Sequence, residues 1–95
     1  MPSYVLTFRG RPDRAIDSSE EAAWGQWFQQ IGGSIVEPGN RVGTSTALGD
    51  GQGKTVVTGY TVIAADNLDA AVALAKGCPG LAHEGGVEVG EIMPM

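Results

Sequence analysis

The hydrophobic residues of this chain follow two periods, that of a strand in some segments and that of a helix in others. The first segment, SYVLTFR at residues 3–9, is rich in β-branched and aromatic residues and stops at a Gly-Arg-Pro breaker. Its apolar side is formed by Tyr4, Leu6 and Phe8. Because the alternate positions include Thr7 and Arg9, the pattern predicts a strand that packs mainly on one side.

A helical period begins at Ser18. Its apolar stripe at the i, i+3, i+4 and i+7 spacing is formed by Trp24, Trp27, Phe28 and Ile31. Ser18 and Glu21 have the spacing of a capping box, and Gly32 is a typical helix end. Gly25 lies inside this helix at a cost of about 1 kcal/mol relative to alanine, so we expect a close packing contact there that offsets the cost.

The middle of the chain contains two further strand signals separated by glycines. Residues 33–48 (GSIVEPGNRVGTSTAL) predict a weak strand interrupted by proline, and GDGQG at residues 49–53 predicts a turn. KTVVTGYTVIAA at residues 54–65 is the strongest strand signal in the chain. A hairpin is therefore expected between these two strands.

A second helix follows, capped by either Asp66 or Asn67, and ends at Gly77. GVEVGEI at residues 86–92 predicts the last strand. The order strand, helix, strand, strand, helix, strand predicts a single α+β domain over residues 1–95. We expect a ferredoxin-like βαββαβ fold, an antiparallel sheet with two helices on one face. A second subunit would cover the other face, which predicts a homodimer.

The charge of the chain excludes two classes of partner. Six Lys and Arg against eleven Asp and Glu give a net charge of −5, and the basic residues are scattered. Nucleic acid binding needs a basic stripe, and binding to anionic membranes needs basic clusters, so neither partner is expected. A lone cysteine cannot form an internal disulfide, and MPSYVLTF has no features of a signal peptide, so a cytoplasmic location is predicted.

The segment GCPGLAHEGGVEV, residues 77–89, contains the only cysteine and the only histidine. Cys78 follows the C-terminus of the second helix, where the helix dipole is negative and Glu84 is near in sequence. Both features oppose formation of a thiolate, so Cys78 is expected to pack as a small apolar residue.

His83 has two interpretations, a general acid/base or a solvated or capping histidine. The catalytic one needs a carboxylate, and Asp13, Asp17 or Asp66 could supply it only through folding or from the partner subunit, whereas Glu84 is expected to point away. One histidine and one cysteine fall short of the usual ligand count for a metal site. Neither a metal nor a cofactor is predicted.

Four residues are candidates for contact with a small ligand: Arg9, Thr7, Tyr60 and Trp27. Arg9 and Thr7 lie on the polar side of the first strand and suit an anion or a carbonyl. Aromatic residues such as Tyr60 and Trp27 suit a flat ligand, since such sites are mostly apolar. The alternatives are a surface salt bridge for Arg9 and a place in the core for Trp27.

Residues 59–95 resemble the YCII-related family, in the branch whose members carry a DGPF motif. The resemblance rests on GYTVIAADNLDAAVALAKGCP followed by GGVEV. It implies a dimeric α/β barrel of ferredoxin-like subunits, and action on small lactones or halogenated aromatic-derived intermediates through a histidine and an aspartate. The DGPF tetrapeptide itself is absent, and Gly90 replaces the basic residue that often follows VEV.

Two functions follow from these observations. The first is a dimeric module without catalytic activity that binds a small molecule or another protein through its sheet or loops, with a small ligand held by aromatic and backbone groups. The second is an enzyme of lyase, isomerase or dehalogenase type, acting on a small cyclic or aromatic-derived metabolite with His83 as general acid/base. A position of His83 beside a cavity would favour the second.

Overall fold

The structure is a computed structural model that describes residues 1–51 and 53–94. Its strands and longer helices are, in chain order, β1 (Ser3–Gly10), α1 (Ser18–Gln30), β2 (Ile35–Glu37), β3 (Val56–Ala64), α2 (Leu68–Ala75) and β4 (Gly86–Glu91). Single turns of 3-10 helix cover Gly32–Ser34, Gly49–Gly51 and Pro79–Ala82.

The four strands form one antiparallel sheet in the order β2-β3-β1-β4. In the centre of the sheet, Leu6 of β1 lies opposite Thr61 of β3 on one side and Val89 of β4 on the other. Both helices pack on the face that Leu6 occupies. This arrangement confirms the predicted ferredoxin-like βαββαβ fold.

The core lies between the sheet and the helices. Its buried members are Tyr4, Leu6, Phe8, Trp27, Ile31, Ile63, Ala65, Ala71, Ala75 and Cys78. Thr61 is the only polar residue among the most deeply buried of the described side chains, and its hydroxyl donates to the Pro38 carbonyl at 2.9 Å. This bond offsets the cost of burying a hydroxyl and ties β3 to the segment after β2.

The helix ends differ in one case from the prediction. Asp17, rather than Ser18, caps α1, and its carboxylate accepts the Glu20 N–H at 2.8 Å. Asn67 caps α2 by accepting the Ala70 N–H at 2.8 Å. The capping box expected at Ser18 is therefore wrong by one residue, because the carboxylate of Asp17, itself a favoured cap, accepts the free N–H of the first turn.

The close contact expected at Gly25 is also wrong. A Cβ built on Gly25 would have no atom of the described chain within 4 Å outside the backbone of its own helix. Gly25 lies on the exposed side of α1, so nothing packs there to offset its unfavourable helix propensity.

The weak strand predicted over residues 33–48 is much shorter in the structure. Only Ile35–Glu37 pair with β3, and one isolated bridge joins Arg41 to Gly59. Pro38 and Gly39 end the pairing, as expected for residues that interrupt strands. Part of the turn predicted at residues 49–53 is a 3-10 turn, and its residue 52 lies outside the described residues.

The second face of the sheet carries half-buried side chains, among them Val5, Thr7, Arg9, Tyr60 and Val62. Neither helix packs on it, because α1 and α2 both belong to the core on the other side. Neither helix therefore covers this face, which is called the open face below.

Candidate functional site

A cleft of about 440 Å³ lies between α1 and the strand β3 together with the segment that follows β2. Its lining residues are Phe8, Ile16, Glu21, Trp24, Phe28, Pro38, Gly39, Asn40, Arg41, Thr58, Gly59, Tyr60 and Thr61. Its size is within the range typical of small-molecule sites, and most of its side chains are apolar or aromatic, as such sites require.

Aromatic rings from two elements form one wall of the cleft. Phe8 of β1 meets the ring of Trp24 edge-on, with centroids 5.1 Å apart and planes at 83°. Phe28 is tilted by 31° from Trp24 at a centroid distance of 6.0 Å. Both arrangements are favourable for aromatic pairs, and together they leave a half-buried indole beside the cavity.

The opposite wall depends on an irregularity in the sheet. Between Phe8 and Arg9 the pairing with β3 shifts register, so that Thr58 is an extra residue of β3. Such a bulge bends the strand and increases its twist. Next to it, a Cβ on Gly59 would lie 3.1 Å from the Asn40 carbonyl oxygen, so the segment after β2 approaches β3 closely at this glycine.

The segment after β2 closes this wall through backbone contacts. The Tyr60 N–H donates to the Asn40 carbonyl at 3.2 Å, and the Asn40 amide donates to the Tyr60 hydroxyl at 3.2 Å. Gly39 has a left-handed backbone with φ of 75° and lies against the Tyr60 carbonyl. The wall is therefore held by main-chain groups as well as side chains.

The charged residues that line the cleft are Glu21 on α1 and Arg41 on the opposite side. Both are exposed, and their charges cancel. The lining therefore contributes no net charge, which favours a ligand without one.

A second group of interacting residues surrounds Glu20 in the first turn of α1. The Glu20 side chain is 3% exposed and forms an ion pair with Arg14. It also accepts a hydrogen bond from the indole N–H of Trp24 at 3.2 Å. The Arg14 guanidinium bonded to the carboxylate holds the pKa of Glu20 below its ordinary value, although burial opposes this shift. Glu20 is therefore a buried, ionised carboxylate with specific partners.

His83 lies beside this carboxylate. Its Nε2 is 3.7 Å from Glu20 Oε1, too long for a hydrogen bond but within range of an ion pair. The imidazole is 39% exposed, and His83 lines neither this cleft nor the second one described below. His83 therefore has a polar partner but borders neither of these two clefts.

The carboxylates named from the sequence as partners for His83 have other roles. Asp13 is bonded to Arg11, and Asp17 caps α1. The pKa of Asp17 is lowered chiefly by the hydrogen bond from the Glu20 N–H, and His83 makes a smaller contribution in the same direction. Asp66 is exposed and adjoins the cap of α2. As predicted, Glu84 points elsewhere, since its carboxylate accepts from Arg11 at 3.0 Å.

Cys78 is 4% exposed and belongs to the core. Burial is the main cause that raises the pKa of its thiol, and the Glu20 carboxylate adds to the shift. Because a reactive cysteine needs a lowered pKa and access, these features support the packing role expected from the sequence.

Three of the four predicted ligand residues, Thr7, Arg9 and Tyr60, lie at positions of the open face, and Trp27 lies in the core. Tyr60 lines the cleft described above, whereas Trp27 is 3% exposed in the core and donates its N–H to the Leu74 carbonyl at 3.1 Å. Trp27 is therefore closed to a ligand, as its alternative interpretation expected. Thr7 lies on the open face opposite Tyr60.

Arg9 lies near the end of β1, beside a second cleft of about 500 Å³ formed largely by the segment before β3. Its Nε donates to the Thr55 hydroxyl at 3.0 Å, and an Nη donates to the Thr55 carbonyl at 2.8 Å. The two N–H groups that would bind a carboxylate in bidentate fashion are therefore already hydrogen-bonded to Thr55. The expected surface salt bridge is replaced by this tie to Thr55.

The sequence singles out neither Glu20 nor Arg14, the two charged residues of the buried ion pair. Glu20 is a charged residue in the first turn of α1, where exposure is the usual outcome, and only its spacing of four from Trp24 indicates that the two side chains can meet. Arg14 lies in an irregular segment without a period. The approach of His83 to Glu20 also depends on the fold, because it brings the turn before β4 next to the start of α1.

Within residues 1–51 and 53–94, no group of three or more His, Cys, Asp or Glu side chains could hold a metal ion. Over the same residues, no helix has the length and apolar character needed to cross a membrane. No protein-family profile matches the chain, and no curated protein sequence matches it.

Proposed function

We propose that this protein is a small-molecule-binding module whose site is the cleft between α1 and β3. The proposal is carried by one observation, the aromatic wall of Phe8, Trp24 and Phe28 facing a cavity of about 440 Å³. The ligand is a small molecule with an apolar body and no net charge, held by aromatic faces and by backbone groups of the opposite wall.

A neutral aromatic probe tests the proposal directly. We expect 2-naphthol to shift the backbone amide resonances of Gly39 and Gly59, which line the cleft, in a heteronuclear NMR titration. The amides of Thr46 and Val57, which line the second cleft, serve as the internal control. Shifts confined to Thr46 and Val57, or spread evenly over the chain, would contradict the proposed location.

A matched pair of variants checks the location independently. Ile16 lines the cleft and is 41% exposed, whereas Leu81 is 48% exposed and is not one of the lining residues. Ile16→Lys should weaken 2-naphthol binding about fivefold, since about 1 kcal/mol of apolar contact is lost. Leu81→Lys makes the same chemical change elsewhere, and its affinity should equal that of the wild type.

The proposal includes a homodimer formed through the open face. Support comes from the apolar positions Val5 and Val62 on that face, and from the resemblance to YCII-related proteins, which implies a dimeric barrel. In sedimentation velocity, Val62→Lys should yield a monomer. Leu68→Lys, on an exposed position of α2, should sediment as the wild type does. A monomeric wild type at all concentrations would remove this part of the proposal.

The proposal also places the protein in the cytoplasm. Support comes from its single cysteine, which is a free thiol in the core. Fractionation of cells that express the tagged chain would test the location, and recovery in a secreted fraction would contradict it.

A second candidate function is acid/base catalysis by His83 on a small lactone or halogenated ring compound. The observation that favours it is the buried Glu20 carboxylate 3.7 Å from the imidazole, which could orient the ring. If a substrate of this class is found, His83→Gln should lower its turnover about 10²–10⁴-fold. Unchanged turnover in that variant would eliminate this function and leave the binding proposal intact.

A further inference from the structure

The indole of Trp24 is held on several sides. Its N–H donates to Glu20 Oε2 at 3.2 Å, and its ring meets Phe8 edge-on. On another side its Cζ2 lies 3.3 Å from the position that a Cβ on Gly80 would take. A half-buried indole without such contacts would sample several rotamers, so these contacts fix its plane.

The bond to Glu20 has a support of its own. Arg14 contacts both carboxylate oxygens, and the carboxylate is almost completely buried. Charge-assisted hydrogen bonds in such surroundings are the stronger ones, so the acceptor for the indole N–H cannot easily turn away. Glu20 is not one of the residues that line the cleft, although its neighbour Glu21 is.

We infer that the cleft selects a flat ring system over a saturated one of similar size, and that Glu20 is the positioning residue that sets this preference by fixing the plane of Trp24. This inference rests on the proposed function. A flat ligand can stack on a fixed indole, whereas a puckered ligand gains only apolar contact. When the indole is free to rotate, binding must also order the ring, and this entropy cost offsets part of the affinity gained by stacking.

The test compares 2-naphthol with decahydro-2-naphthol, its fully saturated analogue. We expect the wild type to bind the flat probe about fivefold more tightly, the range of an aromatic pair beyond its buried area. In Glu20→Gln the ratio of the two affinities should fall to about twofold or less, and the Trp24 indole N–H resonance should move. Loss of stability alone would weaken both probes equally and leave the ratio unchanged.

Two tryptophan variants make the test independent of the folding of Glu20→Gln. Trp24→Phe keeps a ring beside the cleft but removes the donor to Glu20, so the ratio should fall. Trp27→Phe also removes an indole N–H bond, in this case to the Leu74 carbonyl in the core, and should keep the ratio of the wild type.

The outcomes separate this inference from the proposed function. If neither probe binds the wild type, the binding proposal itself is wrong. If both bind with equal affinity, or if folded Glu20→Gln and Trp24→Phe keep the preference for the flat probe, the cleft binds small molecules and the role assigned to Glu20 is overturned.

Discussion

Replacement of Gly39 by alanine tests how closely the segment after β2 approaches β3 at the cleft. Gly39 has φ of 75°, and a Cβ at this position would lie 1.9 Å from the Tyr60 carbonyl oxygen. Since that oxygen belongs to the backbone of a central strand, it cannot move without disturbing the pairing of β3. The substitution therefore acts on both the conformation of the segment and its packing.

The magnitude follows from two comparisons within the chain. Gly49 also has a left-handed backbone, with φ of 64°, but a Cβ there would meet no described atom within 4 Å. Gly49→Ala should cost only the conformational strain, about 1–2 kcal/mol. Gly39→Ala adds overpacking of about 1–3 kcal/mol, which gives a total of about 2–5 kcal/mol. Gly25→Ala should stabilise the protein by about 1 kcal/mol, because that position is helical and open.

Urea denaturation followed by tryptophan fluorescence measures all three free energies of unfolding. The variants should be compared at one protein concentration, since association would shift the midpoint. From most to least stable, we expect the order Gly25→Ala, wild type, Gly49→Ala and Gly39→Ala. The close approach of Gly39 to Tyr60 is refuted if Gly39→Ala and Gly49→Ala have equal midpoints. A loss of 2-naphthol binding in folded Gly39→Ala would in addition link this segment to the cleft.

Three further predictions concern residues around the two clefts. The bond from Arg14 lowers the pKa of Glu20 below its ordinary value of 4.5, so the stabilisation is present above that value and is lost as the pH falls through the lower folded-state pKa. Urea midpoints should therefore decline less steeply with acid in Glu20→Gln than in the wild type. Arg9→Met should cost about 1–2 kcal/mol in the same assay by removing two hydrogen bonds to Thr55, and Arg9→Lys should not restore it. Iodoacetamide should modify Cys78 at least about tenfold more slowly in the native protein than in urea, because burial raises the pKa of the thiol and blocks access.

The fold could be predicted because its elements have clear periods and ends. The alternation of Tyr4, Leu6 and Phe8 specifies which side of β1 is buried, and the structure buries those three residues. Asn67 has the side chain that a cap requires, and it caps α2. The close contact expected at Gly25 is absent, because helix propensity gives the cost of a glycine but not the presence of a neighbour.

The cleft could be predicted only in part. The sequence predicts Tyr60 as a ligand residue, and Tyr60 is among the residues that line the cleft, but the wall opposite α1 depends on the bulge at Thr58 and on the segment around Gly39, which has no period. A bulge leaves no reliable trace in a pattern of polar and apolar residues. Trp27 and Trp24 have the same helical spacing, and only the packing against β3 and α2 decides which of them is closed to a ligand.

Glu20 connects the two candidate functions and also makes them separable. Its Oε2 accepts from Trp24, which lines the cleft, and its Oε1 faces His83, which does not. A change at Glu20 therefore disturbs both sides, whereas His83→Ala disturbs one. If the protein is a binding module, His83→Ala should leave the affinity for 2-naphthol within about twofold of the wild type, because Arg14 still holds the carboxylate in place. If His83 acts as acid/base on a bound molecule, the same variant removes the reacting group, and no substitution at Trp24 would restore turnover.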